Sequence, residues 1–208
     1  MVEAKELKIS NKLYGRDDEI KLLKNVYHDI CCGDYKLVLV SGNSGTGKTR
    51  LINTSLKAAA QDAGFFVSGK FEQFNRDEPY IAFIQAFKNL MRQILTEPKE
   101  KVNEWSKKLK KVLGKNGTTI TGLIPEIGFI FGKQSSVQEH DPQKARRKFE
   151  NLFRKFVQVF ATEQNPMVLF VDDLQWADTA SLQLFKAICE NIENSYLLII
   201  ASYRTEEI

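Results

Sequence analysis

Residues 35–50 read Tyr-Lys-Leu-Val-Leu-Val-Ser-Gly-Asn-Ser-Gly-Thr-Gly-Lys-Thr-Arg: a short apolar run, a complete G-x-x-x-x-G-K-T loop, and the start of a helical pattern. Strand, glycine loop and helix in that order leave few folds open, and all of them hold a polyphosphate at the carboxyl end of a strand. Gly42, Gly45 and Gly47 let the backbone bend so that successive N–H groups turn inward, and the helix N-terminus adds its own partial positive charge. The run Gly42, Asn43, Ser44, Gly45, Thr46, Gly47, Lys48, Thr49 and Arg50 is therefore the candidate nucleotide loop. Lys48 reaches the outer phosphates, and the Thr49 hydroxyl can ligate magnesium. The four fixed positions alone would arise by chance in about one chain in a hundred of this length; the flanking strand and helix make chance rarer.

A distant segment agrees. Residues 167–173, Met-Val-Leu-Phe-Val-Asp-Asp, form a buried-strand run ending in two carboxylates. Because ligands of open α/β sheets lie beyond the carboxyl ends of parallel strands, Asp172 should emerge beside Thr49 and serve the magnesium ion, through a water. Asp173 takes the next position, where many ATPases of this broad class carry a Glu that polarises the attacking water. An Asp after a strand also serves turns and helix caps, and both roles stay open for it.

At 208 residues, with 43% hydrophobic and 27% charged residues, the chain suits one α/β domain and neither a disordered nor a fibrous class. The apolar stretch Tyr196–Ala201 is too short to cross a bilayer. The charged opening Met-Val-Glu-Ala-Lys-Glu-Leu-Lys lacks a signal-peptide core, so a cytoplasmic protein is expected. Cys31, Cys32 and Cys189, with two His residues, make no disulfide or zinc framework. The formal charge of +4 is mild. Its basic groups, Lys107, Lys108, Lys110 and Lys111, then Arg146, Arg147 and Lys148, lie on helical patterns with an apolar opposite face, which favours solvated helix faces over a nucleic-acid patch.

Helical spacing of Ile20, Leu23, Val26, Tyr27 and Ile30 predicts a helix over 17–30. The helix after the loop turns Leu51, Ile52, Leu56 and Ala59 inward and stops near Gly64. A strand over 65–70 follows. Pro79 opens a helix with Tyr80, Phe83, Phe87, Leu90 and Ile94 on one side. A lysine-rich helix with the stripe Val102, Trp105, Leu109 and Val112 stops at Gly114. The stretch 114–140 reads as a packed loop or short helix and is expected to be mobile. Asp141-Pro142 caps a helix carrying Ala145, Phe149, Leu152, Phe156 and Phe160, an aromatic stripe for the core. Asp178 caps a helix through Leu182, Phe185, Ile188 and Ile192, and a last strand, Leu197–Ala201, ends in Ser202-Tyr203-Arg204. Four strands separated by helices predict an open parallel sheet with right-handed crossovers; the strand order stays open.

Three further segments, Leu13-Tyr14-Gly15-Arg16-Asp17-Asp18-Glu19, Gly69-Lys70-Phe71-Glu72-Gln73-Phe74 and Asp172-Asp173-Leu174-Gln175-Trp176-Ala177-Asp178, closely resemble the AAA-type ATPase module of bacterial multi-sensor signal-transduction kinases. Ile124-Pro125-Glu126-Ile127 and Phe131-Gly132-Lys133-Gln134 add to the resemblance, which runs from about Leu13 to Arg204. That module is one of the signal-transducing STAND ATPases and is similar to origin-recognition AAA domains. The resemblance implies a P-loop NTPase sheet of the ASCE/AAA type with helices on both faces. Leu13, Tyr14, Gly15 and Arg16 would pack near the adenine, Lys48, Thr49 and Asp172 would hold ATP with magnesium, and Arg204 would sense the γ-phosphate or simply end the strand in solvent. Such modules normally continue into a fifth strand and a helical lid, so this chain is expected to lack the lid and to be part of a longer protein. Within one P-loop core over 1–208, the expected parts are an N-terminal loop and helix (13–34), the P-loop βαβ start (35–75), a helical insertion (76–165), and the acidic and sensor strands (166–208).

The expected function is a regulatory switch that binds ATP and Mg2+ and hydrolyses ATP slowly. Asp173 would position the water, and Lys48 and the metal would neutralise charge. ATP or ADP and other domains of the same polypeptide are the expected partners, with no membrane or nucleic acid; ATP-dependent self-association stays open. The alternatives are an origin-recognition-like, nucleic-acid-associated ATPase and a small-molecule P-loop kinase, for which the sequence shows no acceptor pocket. Trp176 reads as a packing residue in preference to a nucleotide contact.

Overall fold

A computed structural model describes residues 15–74, 78–131, 141–190 and 195–207. Its four strands, β1 (Tyr35–Ser41), β2 (Phe65–Lys70), β3 (Met167–Asp172) and β4 (Leu197–Tyr203), fall on the runs predicted for them. They pair in parallel in the order β1-β4-β3-β2. The strand that comes last in the chain thus lies between the P-loop strand and the acidic strand.

The central pair, β3 and β4, is buried along its length except at Tyr203. A strand covered on both faces needs such an unbroken apolar run. Alternation then sorts the side chains. Val168, Phe170, Leu198 and Ile200 pack with α1 (Asp17–Cys31) and α2 (Lys48–Ala63) through Leu23, Tyr27, Ile30, Ile52 and Leu56. Met167, Leu169, Val171, Leu197 and Ile199 meet the other layer, built from α3 (Ile81–Leu95), α4 (Lys99–Leu113), α5 (Gly117–Leu123), α6 (Glu126–Phe131), α7 (Pro142–Phe160) and α8 (Thr179–Cys189). Phenylalanines dominate that layer: Phe87 and Phe153 stand edge to face at 5.4 Å, and Phe156 and Phe160 at 5.2 Å, the arrangement aromatic quadrupoles favour. The α7 stripe is core, as its spacing indicated. No helix among the described residues is long and apolar enough to cross a membrane.

Close approach of α3 to β2 dictates Gly69. A Cβ there would come within 1.7 Å of the Ala82 carbonyl oxygen, so only glycine lets the helix lie directly on the strand that ends in Lys70. On the far edge, β1 has one strand neighbour among the described residues, β4, and exposes Leu37 and Leu39.

Several helix-face assignments need correction. Ala59 is exposed and Ala60 is buried in its place, since the inward line of α2 runs Ile52, Leu56, Ala60 at four-residue spacing. Leu113 takes the buried place read for Val112. On α8 the buried line is Ser181, Leu184 and Ile188, leaving Leu182 outside. Tyr80 does not begin the helical turn: it caps α3 with φ +67, its N–H donating to Ser181 Oγ at 2.8 Å. The part of the 114–140 stretch that is described, through 131, is helical and well packed. Ile120, Ile124 and Ile127 are fully buried there, which runs against the mobility expected of it. Both Asp caps form: Asp141 accepts from the Gln143 and Lys144 N–H groups, and Asp178 from that of Ser181. Leu13, Tyr14, Gly132, Lys133, Gln134 and Ile192 lie outside the described residues.

Candidate nucleotide site

The acidic strand aims its last residue by parity. Asp172 shares a face with Val168 and Phe170, and that face is covered by α2, which begins at Lys48. Thr49, one residue into α2, therefore meets it: the Thr49 hydroxyl donates to Asp172 Oδ2 at 2.8 Å, joining residues 123 apart. Ser202, on the same face of β4 as Leu198 and Ile200, donates to Asp172 Oδ1 and accepts the Asp173 N–H at 3.2 Å. Both carboxylate oxygens of buried Asp172 thus have hydroxyl donors, which fixes the group toward the loop.

Within the loop, Gly42, Gly45 and Gly47 have φ of +152°, +75° and +83°, a region that suits glycine and bends the loop around its amides. A Cβ on Gly42 would stand 3.2 Å from Thr46 Oγ1 and 3.9 Å from Lys48 Cδ, so the missing side chain keeps the concavity clear. Lys48 Nζ donates to the carbonyls of Gly42 (2.7 Å) and Asn43 (2.9 Å), and Thr46 Oγ1 to that of Asn43 (2.9 Å). An ammonium, glycine-lined amides, one hydroxyl and one carboxylate fit a magnesium nucleotide. Among the described residues no cluster of three or more His, Cys, Asp or Glu side chains could hold a metal. A magnesium ion at Thr49 and Asp172 would complete its shell with phosphate and water oxygens.

Asp173 sits where β3 turns away, with φ +55°, a conformation that Asp adopts more readily than most residues. Its carboxylate is closely held. Lys70 Nζ lies 3.2 Å from Oδ2, Arg204 Nε 3.4 Å from Oδ1, and Gln175 Nε2 donates to Oδ1 at 3.1 Å. Burial pushes the Asp173 carboxyl up, but the Gln175 amide, Lys70 and Arg204 outweigh it, so the group stays below the usual aspartate range. Beside it a hollow of about 290 Å³ is lined by Lys70, Phe71, Phe74, Trp176 and Arg204. A larger hollow of about 450 Å³ lies at the other end of the sheet, near Phe65, Trp105 and Asn165. It has no glycine amide cradle and no strand-end carboxylate.

Of the other residues singled out in the sequence, Arg16 reaches the loop: Nη2 donates to the Thr46 carbonyl at 3.3 Å while Nη1 pairs with Glu19 at 2.7 Å. Gly15 precedes it in a left-handed turn, and Tyr14 lies outside the described residues. Arg50 occupies the exposed side of the first turn of α2. Trp176 packs against the larger core, as read. Arg204 joins the site on its Asp173 side; its N–H also donates to Gln175 Oε1 at 3.2 Å, and Nη1 pairs with Glu207 at 2.9 Å. Five residues were not assigned to the site from sequence: Ser202, Lys70, Gln175, Thr205 and Glu206. The last two lie in a 3-10 turn, Thr205–Glu207, against the loop: Glu206 Oε1 accepts the Ser44 N–H at 2.9 Å, and Thr205 Oγ1 donates to Asn43 Oδ1 at 3.0 Å. Ser202 carried a sequence signal as the first polar side chain after the apolar run of β4, and Lys70 and Gln175 lie in segments that carry the family resemblance, whereas Thr205 and Glu206 carried none.

The sequence is similar to known proteins over most of its length. The hybrid signal transduction histidine kinase G of Dictyostelium discoideum is 37% identical over 183 residues, which are 88% of this chain and 5% of that protein. Histidine protein kinase 1 of Candida albicans is 25% identical over 194 residues, 86% of this chain and 8% of the kinase. The chain therefore spans a small part of either relative. Among solved structures, Cdc6p from Pyrobaculum aerophilum aligns over 97% of this chain and 42% of its own, at 12% identity and a TM-score of 0.47. A model of the AAA ATPase domain matches residues 12–200, from before the glycine loop through the acidic strand and into the first half of β4, so the chain belongs to the AAA ATPase domain family.

Proposed function

We propose that the chain is an ATP-binding switch of the signal-transducing STAND kind, built into a longer kinase-like polypeptide, and that it hydrolyses ATP slowly. The observation that carries the reading is the 2.8 Å bond between Thr49 Oγ1 and Asp172 Oδ2, which converges the glycine loop and the acidic strand on one point. Magnesium bound there would neutralise charge on the outer phosphates. Lys48 would leave the Gly42 and Asn43 carbonyls for the phosphates, and Ser202 would keep Asp172 oriented while it does so. Asp173 would align the attacking water. Its three present partners, Lys70, Arg204 and Gln175, hold it away from that task, which supports slow turnover. The state of the nucleotide would pass through Arg204 and the segment Asp172–Asp178 to neighbouring domains. Relatives that are histidine kinases many times longer than the chain support that placement.

Thermal unfolding of wild type and Lys48→Ala with and without Mg-ATP and Mg-ADP tests the reading. Ligand at a hundred times its dissociation constant stabilises the folded state by about 2.7 kcal/mol. A higher midpoint for wild type, largely lost in Lys48→Ala, is the expected result. Equal shifts in both proteins, or none in wild type at millimolar nucleotide, would sink it.

A further inference from the structure

The turn Thr205–Glu207 bridges two parts of the site. At one end the Glu206 carboxylate accepts the Ser44 N–H at 2.9 Å across 162 residues of sequence, and Thr205 fastens the same loop through Asn43. At the other end the turn follows directly on Arg204, whose guanidinium holds Asp173 at 3.4 Å and Glu207 at 2.9 Å, while Glu207 Oε2 accepts from Gln175 at 3.3 Å. A carboxylate on a phosphate-loop amide offers what a phosphate oxygen offers, negative charge and a hydrogen-bond acceptor. Its position along the loop matters. Lys48 Nζ, the group that reaches the β- and γ-phosphates, rests on the carbonyls of Gly42 and Asn43, immediately before Ser44 in the chain. Glu206 therefore stands at the end of the loop from which Lys48 would reach the outer phosphates.

We propose that Glu206 is an internal competitor that makes the site sense the third phosphate. A terminal phosphate and the Glu206 carboxylate cannot share the Ser44 amide, so triphosphate expels the turn and diphosphate leaves it in place. Expulsion moves the segment that carries Arg204 and so loosens the grip on Asp173. The inference rests on the nucleotide-binding reading above and names the residue through which that site tells its two ligands apart.

The experiment is calorimetric binding of Mg-ADP and of the non-hydrolysable Mg-β,γ-imido-ATP to wild type, Glu206→Gln and Thr205→Val, with a melt of each protein to establish that it is folded. Glu206 is exposed, so the glutamine leaves the fold intact. Removing one like charge at contact distance near the surface is worth about tenfold in affinity. Glu206→Gln should thus bind the triphosphate about tenfold more tightly and change diphosphate binding by less than about twofold. Thr205→Val, which loses a tether and no charge, should move the ratio in the same direction by less. If Glu206→Gln weakens the triphosphate, or shifts both ligands equally, Glu206 merely props the loop and the proposal is overturned while nucleotide binding stands. If folded wild type binds neither ligand, the nucleotide reading falls and takes the proposal with it.

Discussion

Ser202 is the residue on which the orientation of the acidic strand depends, and Ser202→Ala measures it. The hydroxyl is fully buried, donates to Asp172 and accepts from the Asp173 N–H. Removing it strands a buried backbone donor, at about 1–3 kcal/mol, and takes a hydrogen bond from a carboxylate, at about 1.5–3 kcal/mol. Thr49 still serves the other oxygen of Asp172 and softens the second loss. The expected total is about 3 kcal/mol, a large part of the 5–15 kcal/mol typical of a folded domain, read as a urea midpoint lowered by about 1–2 M or a melting temperature lowered by about 6–12 °C. Repeating the substitution in an Asp172→Asn background separates the two losses. With the charge gone, Ser202→Ala should cost about 1–2 kcal/mol less, because mainly the Asp173 N–H is left without its partner. A single-variant loss below about 0.5 kcal/mol, or one undiminished by Asp172→Asn, would refute the argument.

Gly69→Ala should destabilise by at least about 1–3 kcal/mol, because α3 must shift to clear a Cβ built 1.7 Å from the Ala82 carbonyl oxygen; a native melting temperature would show that the helix is not seated there. Asp173, held below the usual aspartate range, contributes stability that is complete above its unfolded-state pKa near 4 and is lost as pH falls through its lower folded value. Lys70→Met brings that folded value up, so the variant should lose urea resistance at higher pH than wild type, with the difference between them closing in strong acid; a gap independent of pH would exclude the ion pair as its source. Asp141→Ala removes the acceptor for two helix N–H groups and should cost about 1 kcal/mol in the same assay, with nucleotide binding unchanged.

The strands, the glycine loop and the two aspartates were legible because each is local. An apolar run of six residues or a G-x-x-x-x-G-K-T loop carries its geometry in neighbouring positions. Helix faces were legible only where one residue suited the inward line. Between Ala59 and Ala60, or Val112 and Leu113, periodicity alone cannot choose, and the neighbouring layer decides. The rest of the site was hidden for a different reason. Lys70 lies opposite Asp172 across the β2–β3 pairing, and Ser202 joins it from β4. Strand order brings these residues together, and nothing local in the sequence encodes that order. Glu206 is a surface acid in an unremarkable terminal stretch until β4 is known to run beside β1.

The parallel pairing of Tyr35 with Leu197 has a consequence for biosynthesis. The strand that presents the glycine loop finds its hydrogen-bonding neighbour only after nearly all of this stretch has left the ribosome. Until then α1, α2 and the phenylalanine layer can gather, but among the described strands β1 has no partner. Closing that long gap is entropically costly and slow. A nascent polypeptide therefore gathers its helices early and aligns the glycine loop with the acidic strand late, when β4 enters between β1 and β3.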